Sequence, residues 1–311
     1  MNLYISHQSA LAYWQSARAR RGRPLAESDY PNALTPTRDA LDIPWLAELG
    51  IDPSPLHVTV PEKRQVEQRD GLVVHLASTP AVPKSYEYLV KGVYVASPEL
   101  CFCQVATSLS LIELVKLGYE LCAGFRPEET DIRGFEGRDP LTAPESLLEF
   151  ARRYSGNGAK RARVAASYIR GHAASPAEIS AAMLLTLPRR YGGAGLPPCR
   201  MNHPITVPKA GPRSEITYFG DLVWPEKRVI LEYDGALFHQ GAEQMQADAL
   251  RRNALLGTGW RVFTMTSKQL HSLAEFRILV EQLARTLRAQ NSHKTPGAAE
   301  AQFALRKLLL T

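Results

Sequence analysis

The chain has 311 residues, of which 45% are hydrophobic and 22% charged, with 37 Lys and Arg against 31 Asp and Glu. This composition excludes a largely disordered chain, and the length suits two domains with a core each, because domains typically have ~100–200 residues. No apolar run approaches the ~20 residues of a membrane span, and four cysteines in this length do not make a disulfide scaffold. We therefore expect a cytoplasmic protein with no membrane partner.

The N-terminal half combines helical and strand-like patterns. A helical pattern around Trp14 passes into Pro-rich connectors, and a longer helix is expected over 99–117, with its start marked by Ser97 and Pro98. Short apolar runs typical of strands lie at residues 56–60, 72–76 and 92–95. Cys101, Cys103 and Cys122 are interpreted as core thiols, since no second cysteine pair completes a metal motif.

The C-terminal half has a regular α/β rhythm. Thr142 and Glu145 form a predicted capping box, and Ser175-Pro176-Ala177-Glu178 opens a helix that ends before Pro188. Residues 188–213 are expected to be irregular. The predicted elements that follow are a hairpin of strands at 215–224 and 228–233, a helix at 243–256, a strand at 260–266, a long helix at 268–289 and a short final helix. The strands flanking the first of these helices should be parallel, with a right-handed crossover.

Positive charge is concentrated in one segment. Between Ala151 and Ala177 there are six basic residues and no acidic one; removing these six leaves 31 basic and 31 acidic residues in the rest of the chain. The segment reads either as a solvated helix face or as a stretch that contacts the phosphates of a nucleic acid. The six candidates for phosphate contact are Arg152, Arg153, Lys160, Arg161, Arg163 and Arg170.

Carboxylates are concentrated on the predicted hairpin. Asp221 lies in its first strand, while Glu232 and Asp234 end the second and share a face, because residues i and i+2 of a strand point the same way. Acids that end a buried strand cost free energy unless they are paired or bind a cation. The pattern indicates a site for Mg²⁺ or Mn²⁺ formed by these three acids; the alternative is a set of surface acids at a strand end.

Here the residues resemble a known family. The string Asp221-Leu-Val-Trp-Pro-Glu-Lys-Arg-Val-Ile-Leu-Glu232-Tyr-Asp234-Gly235, followed by His239, Asp248, Arg251 and Gly259-Trp260-Arg-Val, is similar to the very-short-patch-repair (Vsr)-like endonucleases. These belong to the PD-(D/E)xK superfamily. The resemblance covers roughly residues 175–285. The front half is more weakly similar to bacterial proteins related to abortive-infection antitoxins, through Leu56-His57-Val58-Thr59-Val60-Pro61, Val74-His75 and Gly92-Val-Tyr-Val-Ala-Ser-Pro-Glu99.

The resemblance implies Mg²⁺- or Mn²⁺-dependent hydrolysis of DNA, in defence or repair. Asp221 would be the principal metal ligand, Glu232 the second acid, and His239 a residue that positions water or protonates the leaving oxygen. Glu178 would supply a further acid, although its place as a capping residue explains it equally well. Asp234 occupies the position at which the superfamily has its lysine. The alternative is therefore a non-catalytic DNA-binding regulator of the antitoxin type.

The expected organisation has four parts. Residues 1–135 would form a mixed α+β accessory or recognition domain, 136–174 a basic helical connector, 175–290 a PD-(D/E)xK-type nuclease core, and 291–311 a tail with a short helix. DNA is the expected partner, and a protein partner or homodimer is left open.

Overall fold

A computed structural model defines the fold for most of the chain. It describes residues 3–16, 19, 23–24, 45–48, 50–51, 55–66, 70–77, 82–90, 92–128, 130–208, 214–235, 242–289 and 296–310. The chain is a mixed α/β protein that divides into two compact units, Met1–Ile169 and Arg170–Thr311. None of the helices in these ranges combines the length and apolar character needed to cross a membrane.

The division falls after Ile169 rather than at the expected boundary near residue 135. The predicted connector contains two helices, Pro144–Arg153 and Ala159–Ala166, whose buried faces pack with the other helices of the first unit. Gly118, in the helix Leu111–Leu121, shows how closely the end of this segment packs: a Cβ at this position would lie 2.0 Å from Ile169 Cδ1. The basic segment is therefore mainly part of a folded unit.

The first unit contains a six-stranded mixed sheet in the order β2-β5-β6-β1-β3-β4 and a two-stranded sheet of β7 and β8. The predicted strands at 56–60 and 72–76 are confirmed as β3 and β4, which pair in parallel. The strands are β1 Leu3–Ile5, β2 Arg23–Pro24, β3 Leu56–Val60, β4 Leu72–Leu76, β5 Tyr86–Val90, β6 Val93–Ala96, β7 Phe125–Pro127 and β8 Phe135–Gly137. The helices are α1 His7–Gln15, α2 Trp45–Glu48, α3 Pro98–Val105, α4 Leu111–Leu121, α5 Pro144–Arg153 and α6 Ala159–Ala166.

Two local predictions in this unit are wrong. The single helix expected over 99–117 is broken, because Ser110 starts α4 with a capping box of its own: its Oγ accepts from Glu113 N, and its N–H donates to Glu113 Oε2 at 2.8 Å. Thr142 does not cap α5; its hydroxyl donates to Glu99 Oε1 at 2.5 Å, and α5 begins with Pro144 after Ala143. The three cysteines predicted as core thiols are buried and free.

The second unit has a four-stranded sheet in the order β12-β11-β10-β9. Strands β9, β10 and β11 are antiparallel neighbours, and β11 and β12 are parallel with α8 between them. The strands are β9 Arg200–Pro208, β10 Glu215–Trp224, β11 Val229–Asp234 and β12 Arg261–Thr266. The helices are α7 Pro176–Thr186, α8 Ala242–Gly257, α9 Ser267–His271, α10 Leu273–Leu287 and α11 Ala298–Leu310.

The hairpin, the crossover helix and the parallel strand agree with the sequence, whereas three neighbouring elements do not. Residues 188–213, expected to be irregular, contain β9. The helix expected over 268–289 is two helices, since Ser272 adopts an extended conformation and accepts from Glu275 N. The predicted tail is part of the unit: α11 packs near α7, where Ser180 Oγ donates to Leu309 O at 3.2 Å.

One side of this sheet carries an apolar core of Ile205, Val207, Val223, Ile230 and Leu255. Gly220 lies where β10 crosses this core: a Cβ there would be 2.7 Å from Val223 Cγ2 and 2.9 Å from Ile230 Cγ2. Only glycine fits without movement of the core, and the next residue along the strand is Asp221.

Gly193 provides a test of the packing that follows α7. A Cβ at this position would lie 2.1 Å from the backbone oxygen of Leu187, so we expect Gly193→Ala to lower the free energy of unfolding by about 1–3 kcal/mol. Gly257→Ala is the matched control, because nothing lies within 4 Å of a Cβ there and the position ends a helix. Urea denaturation of both variants measures the difference, and equal effects would contradict the packing.

Candidate functional site

Two acids face each other across the hairpin. The register pairs Leu222 with Leu231 and Trp224 with Val229, so one step further places Asp221 opposite Glu232. Asp221 Oδ2 accepts a hydrogen bond of 2.7 Å from the backbone N–H of Tyr233. Burial raises the pKa of both carboxyls above their ordinary values. The hairpin register therefore brings two acids with raised pKa values together at one end of a buried strand pair.

Glu178 adds a third acid to this region. Its side chain is only 7% exposed, and its pKa is raised to about 7, first by burial and then by the charge of Asp221. Position N3 of α7 places it next to Ser175, whose Oγ accepts from Glu178 N and donates to Glu178 Oε1 at 2.9 Å. The capping interpretation of Glu178 is thus confirmed, and the same residue also lies within electrostatic reach of Asp221.

Asn202 is a site residue that the sequence did not reveal. Its Nδ2 donates to Glu178 Oε2 and to His172 O, both at 2.7 Å, and the N–H of Ala174 donates to the same Glu178 oxygen at 2.9 Å. Asn202 has a φ of +43°, in the left-handed region that asparagine tolerates better than most residues. A lone asparagine in a segment expected to be irregular gives no signal, because only the pairing of β9 with β10 brings it to the acids.

Arg251 supplies the positive charge at this site. Its Nη2 donates to Glu232 Oε1 and to Phe219 O, each at 2.5 Å, so α8 reaches both strands of the hairpin. The neighbouring positions Ala254 and Leu255 pack on the sheet core, and helical spacing puts all three residues on one face of α8. Burial is the main cause of the raised Glu232 pKa, and the Arg251 guanidinium opposes it.

Asp234 does not join this group. Asp234 pairs in register with Thr266 at the end of β11 and its side chain is exposed, whereas His239 lies outside the described residues. Of the three predicted metal ligands, the structure therefore places Asp221 opposite Glu232, with Glu178 within electrostatic reach of Asp221, and leaves Asp234 exposed at the end of β11.

The donor set agrees in chemistry with a hard divalent cation, which prefers carboxylate oxygens. In the contacts above, Asp221 accepts through Oδ2 and Glu232 through Oε1. Within the described ranges, no group of three or more His, Cys, Asp or Glu side chains is arranged to hold a metal ion. The agreement with a divalent cation is therefore one of ligand chemistry alone.

The six residues of the basic segment separate into different roles. Arg161 Nη1 donates to Ala106 O and Leu109 O, both at 2.8 Å, and Arg163 Nη1 donates to Ala151 O and Tyr154 O at the end of α5. The carbonyls of Ala106, Ala151 and Tyr154 lie at helix ends, where carbonyls have no partner within the helix. Arg152, Arg153 and Lys160 are exposed, and Arg170 is half-buried at the start of the second unit.

Comparison with known proteins adds no relative: no protein-family model matches the chain, and neither a curated protein nor a solved structure is detectably similar to it.

The Glu178 carboxyl gives a pH-dependence that can be measured. Its pKa is about 7 in the folded protein and near 4.5 when unfolded, so the unfolded chain releases its proton first, and stability falls as pH rises from about 4.5 to 7. A difference of this size corresponds to roughly 3 kcal/mol. We expect Glu178→Gln to remove most of this slope in urea denaturation between pH 5 and 8.

Glu226→Gln is the control, since Glu226 is an exposed acid on the hairpin turn of the same unit. Carboxyl NMR of the unmodified chain reports the Glu178 titration directly. A midpoint near 4.5 would contradict the burial effect described above.

Proposed function

We propose that the second unit is a metal-dependent DNA endonuclease with a PD-(D/E)xK-type core. The observation that carries this proposal is that the hairpin register sets Asp221 opposite Glu232, with Glu178 of α7 within electrostatic reach of Asp221. The order of elements supports it: one helix, three antiparallel strands, a crossover helix and a strand parallel to the third. This order gives each acid a rigid element, namely α7, β10 and β11.

The chain's own residues have separable tasks in such a reaction. Tyr233 N–H orients the Asp221 carboxylate, while Ser175 and Asn202 orient that of Glu178. With a pKa of about 7, Glu178 can accept or release a proton near neutral pH, as a general acid or base requires. A bound divalent cation would polarise the phosphate and lower the pKa of a water molecule.

Arg251 compensates for the missing lysine. The superfamily pattern expected from the resemblance has a cation at position 234, where this chain has an exposed aspartate. Arg251 Nη2, on α8, lies 2.5 Å from Glu232 Oε1. A positive charge is therefore present next to the second acid, although it comes from a different position in the chain. Such a charge would interact with the phosphate of a bound strand.

The rival function is a non-catalytic DNA-binding regulator built on the same scaffold. The observation that favours it is the same ion pair: Glu232 is bound to Arg251, which neutralises an acid that the enzyme would use for metal. In this alternative the acids stabilise α8 on the sheet, and the exposed charges of Arg152, Arg153 and Lys160 serve DNA binding alone.

Plasmid nicking distinguishes the two functions. With Mg²⁺ or Mn²⁺, we expect the full chain to nick supercoiled plasmid and Asp221→Asn to lose activity by more than the roughly 10–100-fold typical of a residue that only supports a metal ligand. Glu226→Gln should cut like the parent chain, because its exposed carboxylate lies on the turn. Cleavage that survives Asp221→Asn would sink the proposed site, and DNA binding without metal-dependent cutting would establish the regulator.

The exposed basic residues give a second test that does not depend on cutting. We expect Arg152→Gln/Arg153→Gln to weaken binding to duplex DNA and to reduce the slope of log K against log salt by about 0.9 for each lost phosphate contact, so about 1.8 in all. Lys63→Gln/Arg64→Gln is the control, as it removes the same charge from an exposed turn of the same unit. Equal losses of DNA affinity in the two double variants would show that only the net charge matters, and would contradict phosphate contacts by Arg152 and Arg153.

A further inference from the structure

Three histidines meet in the first unit, far along the chain from the acids. His7 is the first residue of α1, His57 lies on β3, and His75 lies on the parallel neighbour β4. His57 Nδ1 and His75 Nε2 are 3.0 Å apart, and their rings are inclined by only 19°. The ring of His7 stacks on that of His75, with centroids 3.5 Å apart and planes within 15°.

The cluster is held in place from several sides. His7 has a φ of +48°, its N–H donates to Gln104 Oε1 at 3.1 Å, and its Nδ1 is 3.0 Å from Ser6 Oγ. His57 N donates to Ser9 Oγ at 2.9 Å. A non-glycine residue in the left-handed region costs free energy, and such strain is concentrated at functional sites.

All three imidazoles are neutral at physiological pH. Burial is the main cause, lowering the pKa of His7 to about 3 and that of His75 to about 4, with a further contribution from repulsion among the rings. The pKa of His57 is also lowered by burial. Neutral imidazole presents one donor and one acceptor nitrogen, and the contact between His57 Nδ1 and His75 Nε2 requires one of these two nitrogens to carry a proton and the other to accept it.

His7 and His75 line a cavity of about 460 Å³, within the range of ligand sites in proteins. The polar side of the cavity is uncharged and includes Ser85, Gln104, Thr107 and Asn157. Leu76, Val82 and Leu100 supply apolar surface. The described lining residues include no Asp, Glu, Lys or Arg, so this part of the wall offers no counter-charge to an ionic ligand.

This chemistry selects among ligand classes. An anion would meet no cation among the described residues of the wall. A metal ion is also disfavoured, because the His7 and His75 rings stack in parallel and their nitrogens do not converge on one point. This agrees with the lack of a metal-holding group among the described residues. A flat, uncharged ring can extend the stack, as bases do on histidine and other aromatic side chains. Gln and Asn amides pair with donor and acceptor edges of bases.

We propose that this cavity binds a nucleobase, free as a nucleoside or exposed on a single strand, stacked on the His7–His75 pair and hydrogen-bonded by Gln104 and Asn157. His57 is a positioning residue that acts through His75. The site lies within Met1–Ile169 and requires neither metal nor the acids of the other unit. Nucleobase binding can therefore be tested independently of the proposed nuclease activity.

NMR of the imidazole resonances in the full chain tests the proposal. Adenosine, guanosine, cytidine and uridine are titrated separately, followed by a single-stranded tetranucleotide, with inorganic phosphate and Zn²⁺ each added alone as competing probes. We expect at least one nucleoside to cause saturable shifts of the His7 and His75 signals while that of His271, on α9, stays unchanged. Tighter binding of the tetranucleotide would identify a strand as the source of the base.

Asn157→Ala is the informative variant, because Asn157 is an exposed loop residue and its loss leaves the core intact. Loss of one hydrogen bond should weaken nucleoside binding about 3- to 10-fold. Gln8→Ala is the control, an exposed polar residue on α1 outside the cavity. Absence of shifts with every nucleoside, shifts with phosphate or Zn²⁺ alone, or equal affinity of Asn157→Ala and the parent chain would each overturn the proposal.

Discussion

The burial of acids that the hairpin register holds in place is the constraint on which the site of the second unit depends. The buried pairs Leu222–Leu231 and Val223–Ile230 fix the hairpin register, and a slip by one residue would turn their side chains to the other face. Asp221 and Glu232 are therefore locked opposite each other. The free energy that apolar burial provides along the strands offsets the cost of holding two acids at their end.

The surrounding residues follow from this constraint. Glu178, which is buried, retains its proton to near neutrality, and Asn202 faces it with an amide donor rather than with a charge. Arg251 places one guanidinium against Glu232 and the carbonyl of Phe219. A retained proton and a neutral amide donor thus stabilise Glu178, whereas a guanidinium charge stabilises Glu232.

Local signals made much of this unit predictable. Apolar runs broken by a Pro-containing turn gave the hairpin, and Ser175 with Pro176 gave the start of α7. The failures are non-local: β9 has no clear alternation in sequence and owes its shape to pairing with β10. Arg251 and Asn202 entered the site for the same reason, since a partner on another element cannot be read from spacing along one element.

Other failures arose where a side-chain hydroxyl group took a hydrogen-bond partner that the sequence pattern did not indicate. Ser110 and Ser272 each started a new helix inside a stretch whose apolar periodicity predicted one continuous helix. Thr142 does not cap a helix because its hydroxyl donates to Glu99, which lies 43 positions earlier in the chain. In the basic segment, net charge was correctly located, but the sequence did not show that Arg161 and Arg163 would be directed at carbonyls of their own unit.

The connection through α8 has a consequence for the order of folding. Strands β10 and β11 are joined by the short turn Pro225–Lys227 and can pair within microseconds, whereas the parallel pairing of β11 with β12 must close a much longer loop. Arg251 lies on that longer connection. We therefore expect Asp221 and Glu232 to approach each other before the Arg251 guanidinium reaches Glu232, so that the early hairpin forms without the ion pair of the folded protein.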